Sequence, residues 1–281
     1  MTSSEVADEK AQRISAIQKL WIPYPDANKI IRDLKRLVNA ELETRPECIA
    51  IVGDPNFGKS ELLRHFHSQY EKPYDPNVDT PSLPVLLAEM PEDATPSAFV
   101  RELLRECGLP LTRHEPLDMM VDRLKVLLRE LHTKLILVDE FNKGFNGTHP
   151  QQQKMLNLTR GISNRTQIPL VVAGIESIDS FIKNDPQLDE RFRRIRLPAW
   201  VANENSQRLH KAFEEAFQLQ NPSKLGSPAM TEIIIGLARG RLGNISRLLK
   251  HAAIEAISSG VEQITKDSLS KMVERLPARA A

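Results

Sequence analysis

Residues 48–66 read CIAIVGDPNFGKSELLRHF, and this stretch decides how the rest of the chain is interpreted. An apolar run is followed by a turn-rich segment, by Lys-Ser, and then by apolar residues at helical spacing. The residues from Gly53 to Ser60 match the Walker A pattern G-x-x-x-x-G-K-[ST] of a phosphate-binding loop. The match stands after a predicted strand and at the start of a predicted helix, which is the context that the pattern requires.

The residue types of this loop suit the binding of a nucleoside triphosphate. Glycines allow positive φ angles, and successive backbone N–H groups at a helix N-terminus form a nest for anions. The lysine is expected to reach the β- and γ-phosphates, and the serine hydroxyl is expected to bind Mg²⁺. A glycine-rich joint that binds nothing is the alternative, and the complete motif in its context disfavours it. The predicted ATP-binding residues of the loop are Gly53, Asp54, Asn56, Gly58, Lys59 and Ser60.

A second motif supplies two carboxylates. The run KLILVDE, residues 134–140, ends in Asp139 and Glu140. Asp139 is expected to organise Mg²⁺ and its waters, and Glu140 is expected to polarise the attacking water. On its own, such a run is equally typical of the start of a solvated loop. Together with the phosphate loop it forms a Walker B motif and predicts ATP hydrolysis.

Short apolar runs alternate with helical patterns up to Trp200, and only helical patterns follow. This alternation predicts an α/β fold with a mostly parallel sheet that is covered by helices on both faces. The apolar run 83–90 predicts a strand that lies, in sequence, between the two strands with the Walker motifs. Such an additional strand indicates an additional-strand ATPase rather than a simple nucleotide kinase. The predicted strands are 48–53, 83–90, 134–140, 168–174 and 194–200.

Three domains are predicted from these patterns. Residues 46–200 are the α/β ATPase domain, and residues 201–281 are a small helical lid. Residues 1–45 form an N-terminal arm and a helix, and they include WIPYP. The prolines of WIPYP exclude a regular helix, and its residues Trp21 and Tyr24 need apolar cover. The segment is either a strap packed on the main domain or a docking segment for a partner.

Composition excludes several classes of protein. The formal net charge is +1, so any binding of nucleic acid must use a local patch. No stretch approaches the roughly 18 apolar residues of a membrane span, and the first residues lack the apolar core of a signal peptide. The two cysteines have no partner spacing. We therefore expect a cytoplasmic protein with reduced thiols and no membrane association.

These motifs together resemble an AAA+ ATPase, and more narrowly the TniB/TnsC group of transposition helper ATPases. The resemblance runs from about residue 20 onward, and WIPYP is similar to the N-terminal segment of TniB proteins. The Walker motifs are general to many ATPases, so the transposon assignment depends on the other segments. The segments that carry the resemblance are GDPNFGKS, LILVDEFNKG, LVVAGIES, DPQLDERFRRIRLPAW and GRLGNISRLLKHAAIEA.

The resemblance implies an ATP-dependent homo-oligomer, either a ring or a helical filament on double-stranded DNA. It implies a protein that connects a TniQ-type target selector to a TniA-type DDE transposase during DNA transposition. ATP hydrolysis would then be a switch between assembly and disassembly rather than a metabolic reaction.

The resemblance also implies roles for arginines. In AAA+ oligomers an arginine of one subunit completes the neighbour's site. The segment DERFRRIRL offers Arg191, Arg193 and Arg194, and the usual position favours Arg191 or Arg193. The alternative is a helix-end cluster paired with the acidic residues just before it. The helical lid normally supplies a second arginine, for which Arg247 is the candidate; an exposed lid arginine is the alternative.

In this group of proteins, DNA is held through its backbone by loops that face the pore of the oligomer, and the contacts are salt-sensitive. The candidates here are Thr112 and Arg113 in LPLTRHE and Lys143 in FNKGFNGTH. A solvated surface loop is the alternative for each. The segment EMPEDATPS is acidic, which argues against a DNA contact from that loop.

The chain departs from the AAA+ pattern at the tip of the fourth strand. A polar residue usually stands there, near the γ-phosphate, whereas VVAGIES places Gly174 and Ile175 at this point. Glu176 or Ser177 would substitute, or the role is absent.

Three other functions remain open. One is a helicase loader of the DnaC or Orc kind, although the chain shows no winged-helix pattern. Another is a signalling NTPase, which would normally carry sensor or effector domains. The third is an adaptor that holds nucleotide without hydrolysing it, and Glu140 argues against it.

Overall fold

The structure of the protein, a computed structural model, describes residues 3–41, 44–71, 82–109 and 115–275. Its contacts divide the chain into two compact units. The α/β unit comprises Pro25–Pro55 and Lys59–Leu197. The helical unit comprises the chain up to Tyr24, the three loop residues Asn56–Gly58, and the chain from Pro198 onward.

This division differs from the predicted domain limits at the N-terminus. The predicted arm and helix, residues 1–45, are divided between the two units at Tyr24. At the other predicted boundary, residue 200, the contacts place the change three residues earlier, after Leu197.

A five-stranded parallel sheet forms the centre of the α/β unit. The strands are β1 (Cys48–Val52), β2 (Val85–Glu89), β3 (Leu135–Asp139), β4 (Leu170–Gly174) and β5 (Phe192–Arg196). Their order across the sheet is β2-β3-β4-β1-β5, and every pairing is parallel. The predicted α/β fold with a parallel sheet is therefore confirmed. The strand β4 lies in space between the two strands that carry the Walker motifs.

The central strands are apolar without alternation because both of their faces are covered. All five residues of β1, of β3 and of β4 are buried. Burying each large aliphatic side chain contributes about 1.5–3 kcal/mol to folding. These strands therefore form the rigid base on which the loops at their carboxyl ends are held.

The fifth strand begins and ends earlier than predicted. The prediction was residues 194–200, whereas β5 begins at Phe192 and ends at Arg196. The N–H of Leu197 still donates to the carbonyl of Val52 at 2.8 Å. Beyond Leu197 the chain no longer pairs with β1, and the N–H of Trp200 donates to the carbonyl of Gly240 at 2.8 Å. The earlier start places Arg193 on the strand as well as Arg194.

Helices cover the sheet of the α/β unit. The hydroxyl of Thr95 accepts a hydrogen bond from the N–H of Ala98 at 3.2 Å, and Pro96 starts the helix that follows. Such a cap stabilises a helix by about 1 kcal/mol. The helices are α2 (Pro25–Asn39), α3 (Lys59–Ser68), α4 (Pro96–Glu106), α5 (Leu117–Glu130), a 3₁₀ helix (Phe141–Phe145), α6 (His149–Thr166), α7 (Ser177–Lys183) and α8 (Pro186–Asp189).

The helical unit joins the N-terminal helix to the four C-terminal helices. These are α1 (Ser3–Lys19), α9 (Glu204–Phe217), α10 (Pro228–Ala238), α11 (Leu242–Ser259) and α12 (Lys266–Arg275). The guanidinium of Arg13 on α1 donates two hydrogen bonds, 2.8 and 2.9 Å long, to the buried carboxylate of Glu262. This bidentate pair ties α1 to the segment between α11 and α12.

The segment WIPYP also packs within this unit. Tyr24 is buried, and its ring meets the ring of Trp200 edge-to-face with centroids 5.5 Å apart. The strap was predicted to pack on the main domain, whereas Tyr24 packs on Trp200, which groups with the helical unit. Its alternative role in docking a partner stays a prediction. Among the described residues, no helix combines the length and apolar character needed to cross a membrane.

Candidate nucleotide-binding site

The phosphate loop connects β1 to α3. Asn56 and Gly58 both adopt positive φ angles, 65° and 88°. Asparagine tolerates this left-handed region better than most residues, and glycine adopts it without a steric penalty. The loop therefore turns back on itself before α3 begins at Lys59. The first N–H groups of a helix have no acceptor inside the helix, and they point towards the space in front of it.

The side chain of Lys59 is buried beside this loop. Its Nζ donates to the backbone carbonyls of Gly53 at 2.7 Å and Asp54 at 2.9 Å. Burial lowers the pKa of the Lys59 ammonium, and the carboxylates of Glu140, Asp139 and Asp54 partly oppose that shift. A buried ammonium held only by neutral carbonyls is suited to bind an anion, because a phosphate would compensate its lost hydration.

The two predicted carboxylates stand at the end of β3. Asp139 is 6% exposed, and its Oδ1 accepts a hydrogen bond from the N–H of Glu140 at 2.9 Å. Glu140 adopts a left-handed conformation, with φ 52° and ψ 34°. For a residue with a side chain this conformation costs about 1–2 kcal/mol. The strained turn ends β3 abruptly and starts the 3₁₀ helix.

The strand order brings the two motifs to one edge of the sheet. The carboxyl ends of β1 and β3 flank the end of β4, because β4 lies between them. The N–H of Gly53 donates to the carbonyl of Gly174, the last residue of β4, at 3.1 Å. Ligands of open parallel sheets bind at this edge, outside the carboxyl ends of the strands. The fold thus places Lys59, Asp139 and Glu140 near one another at the carboxyl end of β4.

The oxygen donors at this edge suit Mg²⁺. Ser60, in the first turn of α3, offers a hydroxyl, and Asp139 offers a carboxylate. Within the described ranges, no group of three or more His, Cys, Asp or Glu side chains could hold a metal by itself. In nucleotide sites Mg²⁺ takes one or two protein ligands and is completed by phosphate oxygens and water.

The candidate arginines lie at the opposite edge of the sheet. The carbonyl of Arg191 accepts a hydrogen bond from the N–H of Cys48 at 2.9 Å, and Arg193 is level with Ile49. Both arginines are therefore at the amino end of β1, whereas the phosphate loop follows its carboxyl end. Five strand residues span about 16 Å, which is beyond the reach of an arginine side chain. These arginines could serve only the phosphates of another subunit.

The two arginines differ in their partners. Arg193 makes ion pairs with Asp33 at 2.9 Å and with Glu47 at 3.1 Å. Arg191 donates to the amide oxygen of Asn164, a neutral group. Arg191 also lines a cavity of about 400 Å³. Of the acidic partners predicted for this cluster, which were Asp185, Asp189 and Glu190, Asp189 pairs with Arg194, which also pairs with Asp179.

The candidate lid arginine lies in the helical unit. Arg247 on α11 donates from Nη2 to the side chain of Asn244 at 3.1 Å, and its Nε is buried with no acceptor among the described residues. In the same unit, the N–H of Gly243 donates to the carbonyl of the loop residue Asn56 at 2.7 Å. Gly243 was not among the predicted site residues, although it lies in the GRLGN segment that precedes Arg247.

Lys143 is the one candidate DNA contact that lies among the described residues. Thr112 and Arg113 lie outside the described residues. Lys143, in the 3₁₀ helix, pairs with Glu89 at 2.9 Å and with Glu92 at 2.7 Å. Burial alone would lower the pKa of Lys143, but its hydrogen bonds to the two carboxylates outweigh this and raise it. A DNA phosphate would therefore compete with two carboxylates for the ammonium of Lys143.

The tip of the fourth strand is occupied by a residue that the sequence analysis missed. Glu176 pairs with Arg196 at 2.7 Å, and Ser177 begins α7. The side chain that reaches the strand tip is Asn142, whose Oδ1 accepts a hydrogen bond from the N–H of Ile175 at 3.3 Å. The sequence does carry a signal for this contact. An asparagine stands two residues after the Walker B glutamate, and a glycine ends β4.

Comparison with protein families matches these elements to one family. A model described as Bacterial TniB protein matches residues 13–202, which is more than half of the chain. The match includes WIPYP, both Walker motifs and the arginine segment.

The chain belongs to the TniB family.

Solved structures similar to this TniB-family chain show its fold. The ORC2 protein of Aeropyrum pernix, in ADPNP–ADP complexes, has a TM-score of 0.67 and 17% identity, over 95% of this chain and 72% of that chain. Cdc6p of Pyrobaculum aerophilum has a TM-score of 0.64 and 17% identity, over the same shares of 95% and 72%. The ORC1 protein of Aeropyrum pernix in complex with DNA has a TM-score of 0.62 and 13% identity, over 93% and 69%.

These identities are too low to transfer a function, so the likeness concerns the fold alone. The fold is that of AAA+ P-loop ATPases, with a parallel sheet, flanking helices and a helical C-terminal region. The comparison with curated proteins gave no match.

Proposed function

We propose that this TniB-family chain binds and hydrolyses ATP, and that the bound nucleotide controls its assembly on DNA during transposition. The observation that carries the proposal is the meeting of Lys59, Asp139 and Glu140 at the carboxyl edge of the sheet. A buried lysine beside an N-terminal helix turn suits a phosphate, and a carboxylate pair suits a metal and a water.

Each residue of the site has a role in the proposed hydrolysis. Lys59 would exchange its two carbonyl partners for phosphate oxygens, and Glu140 would orient and polarise the attacking water. Asp139 and Ser60 would hold Mg²⁺, which neutralises charge on the β- and γ-phosphates when bound. Gly53, Asp54, Asn56 and Gly58 would wrap the phosphates with their backbone.

The position of the arginines supports a homo-oligomer. Arg191 lies at the amino edge of the sheet, so it would complete the site of a neighbouring subunit rather than its own. Repeating this contact from subunit to subunit is a head-to-tail interface, which generates a ring if it closes and a helical filament if it does not. Arg247 would contribute a second arginine from the lid.

Family membership supports a role in transposition. The proposed partners are double-stranded DNA, a TniQ-type target selector and a TniA-type DDE transposase. Neighbours of the same fold were solved with nucleotides or with DNA, which supports these two ligand classes for this chain. The protein would connect the two protein partners while it is assembled with ATP, and hydrolysis would release the assembly.

The test is binding to a random-sequence DNA duplex, observed by gel shift and negative-stain microscopy. The wild type would be compared with ATP, a slowly hydrolysed analogue, ADP and no nucleotide. Coating of the DNA is expected with ATP and the analogue only. It should weaken steeply as salt increases, because backbone contacts release counterions.

Glu140→Gln sharpens this test. The variant keeps Lys59 and is expected to bind ATP normally, while turnover falls about 10²-fold or more because the polarising carboxylate is lost. It should therefore hold the coated state in ATP, whereas the wild type disassembles as ATP is consumed. If the wild type hydrolyses ATP but binds no DNA in any condition, the transposition proposal fails and a helicase-loader or signalling function becomes the better interpretation. Unchanged turnover in Glu140→Gln would remove this residue from the catalytic role.

A further inference from the structure

The tip of β4 is hydrogen-bonded to both halves of the site. The carbonyl of its last residue, Gly174, accepts from the N–H of Gly53 in the phosphate loop at 3.1 Å. The next N–H, of Ile175, donates to Asn142 at 3.3 Å. Because this donor is a backbone N–H, the side-chain atom that faces it is the amide oxygen. The strand tip thus connects the phosphate loop to the segment that follows the Walker B carboxylates.

Gly174 provides the space for the Asn142 side chain. A Cβ at position 174 would lie 2.3 Å from Oδ1 of Asn142 and 2.4 Å from Cδ1 of Ile178. The first distance is far below van der Waals contact, so any side chain on residue 174 would displace the amide. Glycine is needed here for close approach rather than for its backbone angles. The polar side chain at this strand tip therefore comes from the 3₁₀ helix after β3 and not from β4 itself.

The remaining half of the amide is available to a ligand. With Oδ1 used by Ile175, the Nδ2 group of Asn142 carries two N–H donors. Neither donor finds an acceptor among the residues that the structure describes. Asn142 is half-buried and follows Glu140 by two residues, just past the strained turn. A pair of neutral donors therefore stands at the edge where the phosphate loop and the carboxylates meet.

We propose that Asn142 donates a hydrogen bond from Nδ2 to the γ-phosphate of bound ATP. The inference rests on the proposed function, because it concerns the same triphosphate site. A neutral donor would strengthen binding of the triphosphate without placing a second cation beside Lys59. Asn142 would also link the γ-phosphate to β4, because its Oδ1 binds the N–H of Ile175 at the same time. ADP has no γ-phosphate and therefore could not make this link.

The test compares Asn142→Asp with Asn142→Ala. The aspartate keeps an acceptor for the Ile175 N–H but loses both donors, and the alanine loses donors and acceptor. Asn146→Asp is the matched control, since Asn146 is exposed and lies just after the same 3₁₀ helix. The readouts are kcat, KM, and the ratio of the affinities for a slowly hydrolysed ATP analogue and for ADP.

Both variants of Asn142 are expected to lower kcat about 10- to 100-fold and to reduce the preference for the analogue over ADP about tenfold. Affinity for ADP and the behaviour of Asn146→Asp should stay within twofold of the wild type. A near-normal Asn142→Asp beside an impaired Asn142→Ala would show that only the Ile175 hydrogen bond matters. An impaired aspartate beside a normal alanine would show charge repulsion only. Either result overturns the proposal.

Gly174→Ala provides a second route that leaves Asn142 itself intact. Its added methyl group should displace the amide and reproduce the loss of kcat with ADP binding retained. Unchanged turnover in Gly174→Ala would contradict the assigned position of the amide. The wild type in the same assay separates the two proposals: absent nucleotide binding would remove the proposed function and this inference together, whereas normal wild-type turnover with normal variants would remove the inference alone.

Discussion

Charged groups stand at both ends of the parallel sheet, but those around the phosphate loop and those at the amino end are held in different ways. At the carboxyl end, Lys59 is bound to backbone carbonyls, and Asp139 accepts from a backbone N–H. At the amino end, Arg193 is fixed between the carboxylates of Asp33 and Glu47. The groups around the phosphate loop are therefore held by the backbone rather than by ion pairs, whereas Arg193 at the amino end is held by two carboxylates.

Arg191 is the exception that gives the comparison its meaning. It stands at the amino end but binds the neutral side chain of Asn164. An arginine that is needed by a neighbouring subunit must remain free of carboxylates, because a strong local ion pair would compete with the phosphate. The contrast therefore predicts that replacing Lys59 at one end or Arg191 at the other strongly lowers ATP binding or turnover. Replacing the ion-paired residues at the amino end should change turnover little.

Lys59→Ala should produce the largest change. The ammonium would make about two charge-assisted hydrogen bonds to phosphate oxygens, so ATP affinity should fall about 10³-fold. The folded state should keep its stability, because burial of this ammonium is unfavourable, as its lowered pKa shows. Calorimetric titration with ATP and a thermal melt would measure the two quantities.

The control for this change is Lys154→Ala, which removes an exposed lysine from α6. Its ATP affinity should equal that of the wild type. Retained ATP affinity in Lys59→Ala would refute the phosphate-loop assignment, and with it the contrast between the two ends.

Most of this end of the molecule could be predicted from the sequence. Residues 48–60 and 134–140 carry complete local patterns, because a parallel strand buried on both faces must be apolar and a phosphate loop must contain glycine and lysine. Asn142 could not be predicted, since its role depends on a contact with β4, more than thirty residues away. The limits of β5 were misplaced because the apolar pattern continues past Leu197, whereas the N–H of Trp200 donates to Gly240 and not to the sheet.

Arg191→Ala should have the next largest effect on turnover. The effect is expected at the nucleotide site of the neighbouring subunit, which Arg191 would complete. Loss of an arginine that stabilises charge on the transferred phosphate should lower kcat about 10²-fold while ATP affinity changes little. Arg193→Ala should change kcat less than about threefold, because that side chain is engaged by Asp33 and Glu47. Steady-state turnover of the two variants compares the arginines directly.

A mixing experiment decides whether the arginine acts between subunits. Arg191→Ala subunits retain Glu140, and Glu140→Gln subunits retain Arg191, so a mixed interface can contain a complete site. Random mixing in equal amounts should restore about one site in four. A mixture as inactive as its components would rule out Arg191 as the shared arginine. Loss of turnover in Arg193→Ala, with rescue on mixing, would transfer the role to Arg193.

Glu47→Gln tests the opposite expectation, that the paired groups at the amino end are structural. Burial alone would raise the pKa of Glu47, but hydrogen bonds from Arg36 and Arg193 outweigh it and hold the pKa below its ordinary value of 4.5. The unfolded chain therefore binds more protons than the folded chain in the acidic range. The stability from this carboxylate is fully present above about pH 4.5 and is lost as the pH falls through the lower folded value.

The expected effect is small because the Glu47 side chain is 35% exposed and its ion pairs are screened by solvent. At pH 7, Glu47→Gln should lower the free energy of unfolding by less than about 1 kcal/mol, and the difference from the wild type should shrink towards pH 4. Urea denaturation at both pH values measures this, with the exposed Glu41→Gln as control. Turnover should be unchanged. A tenfold fall in kcat would mean that the ion pairs at the amino end also shape the shared site, so the paired groups there could no longer be separated from Arg191 as purely structural.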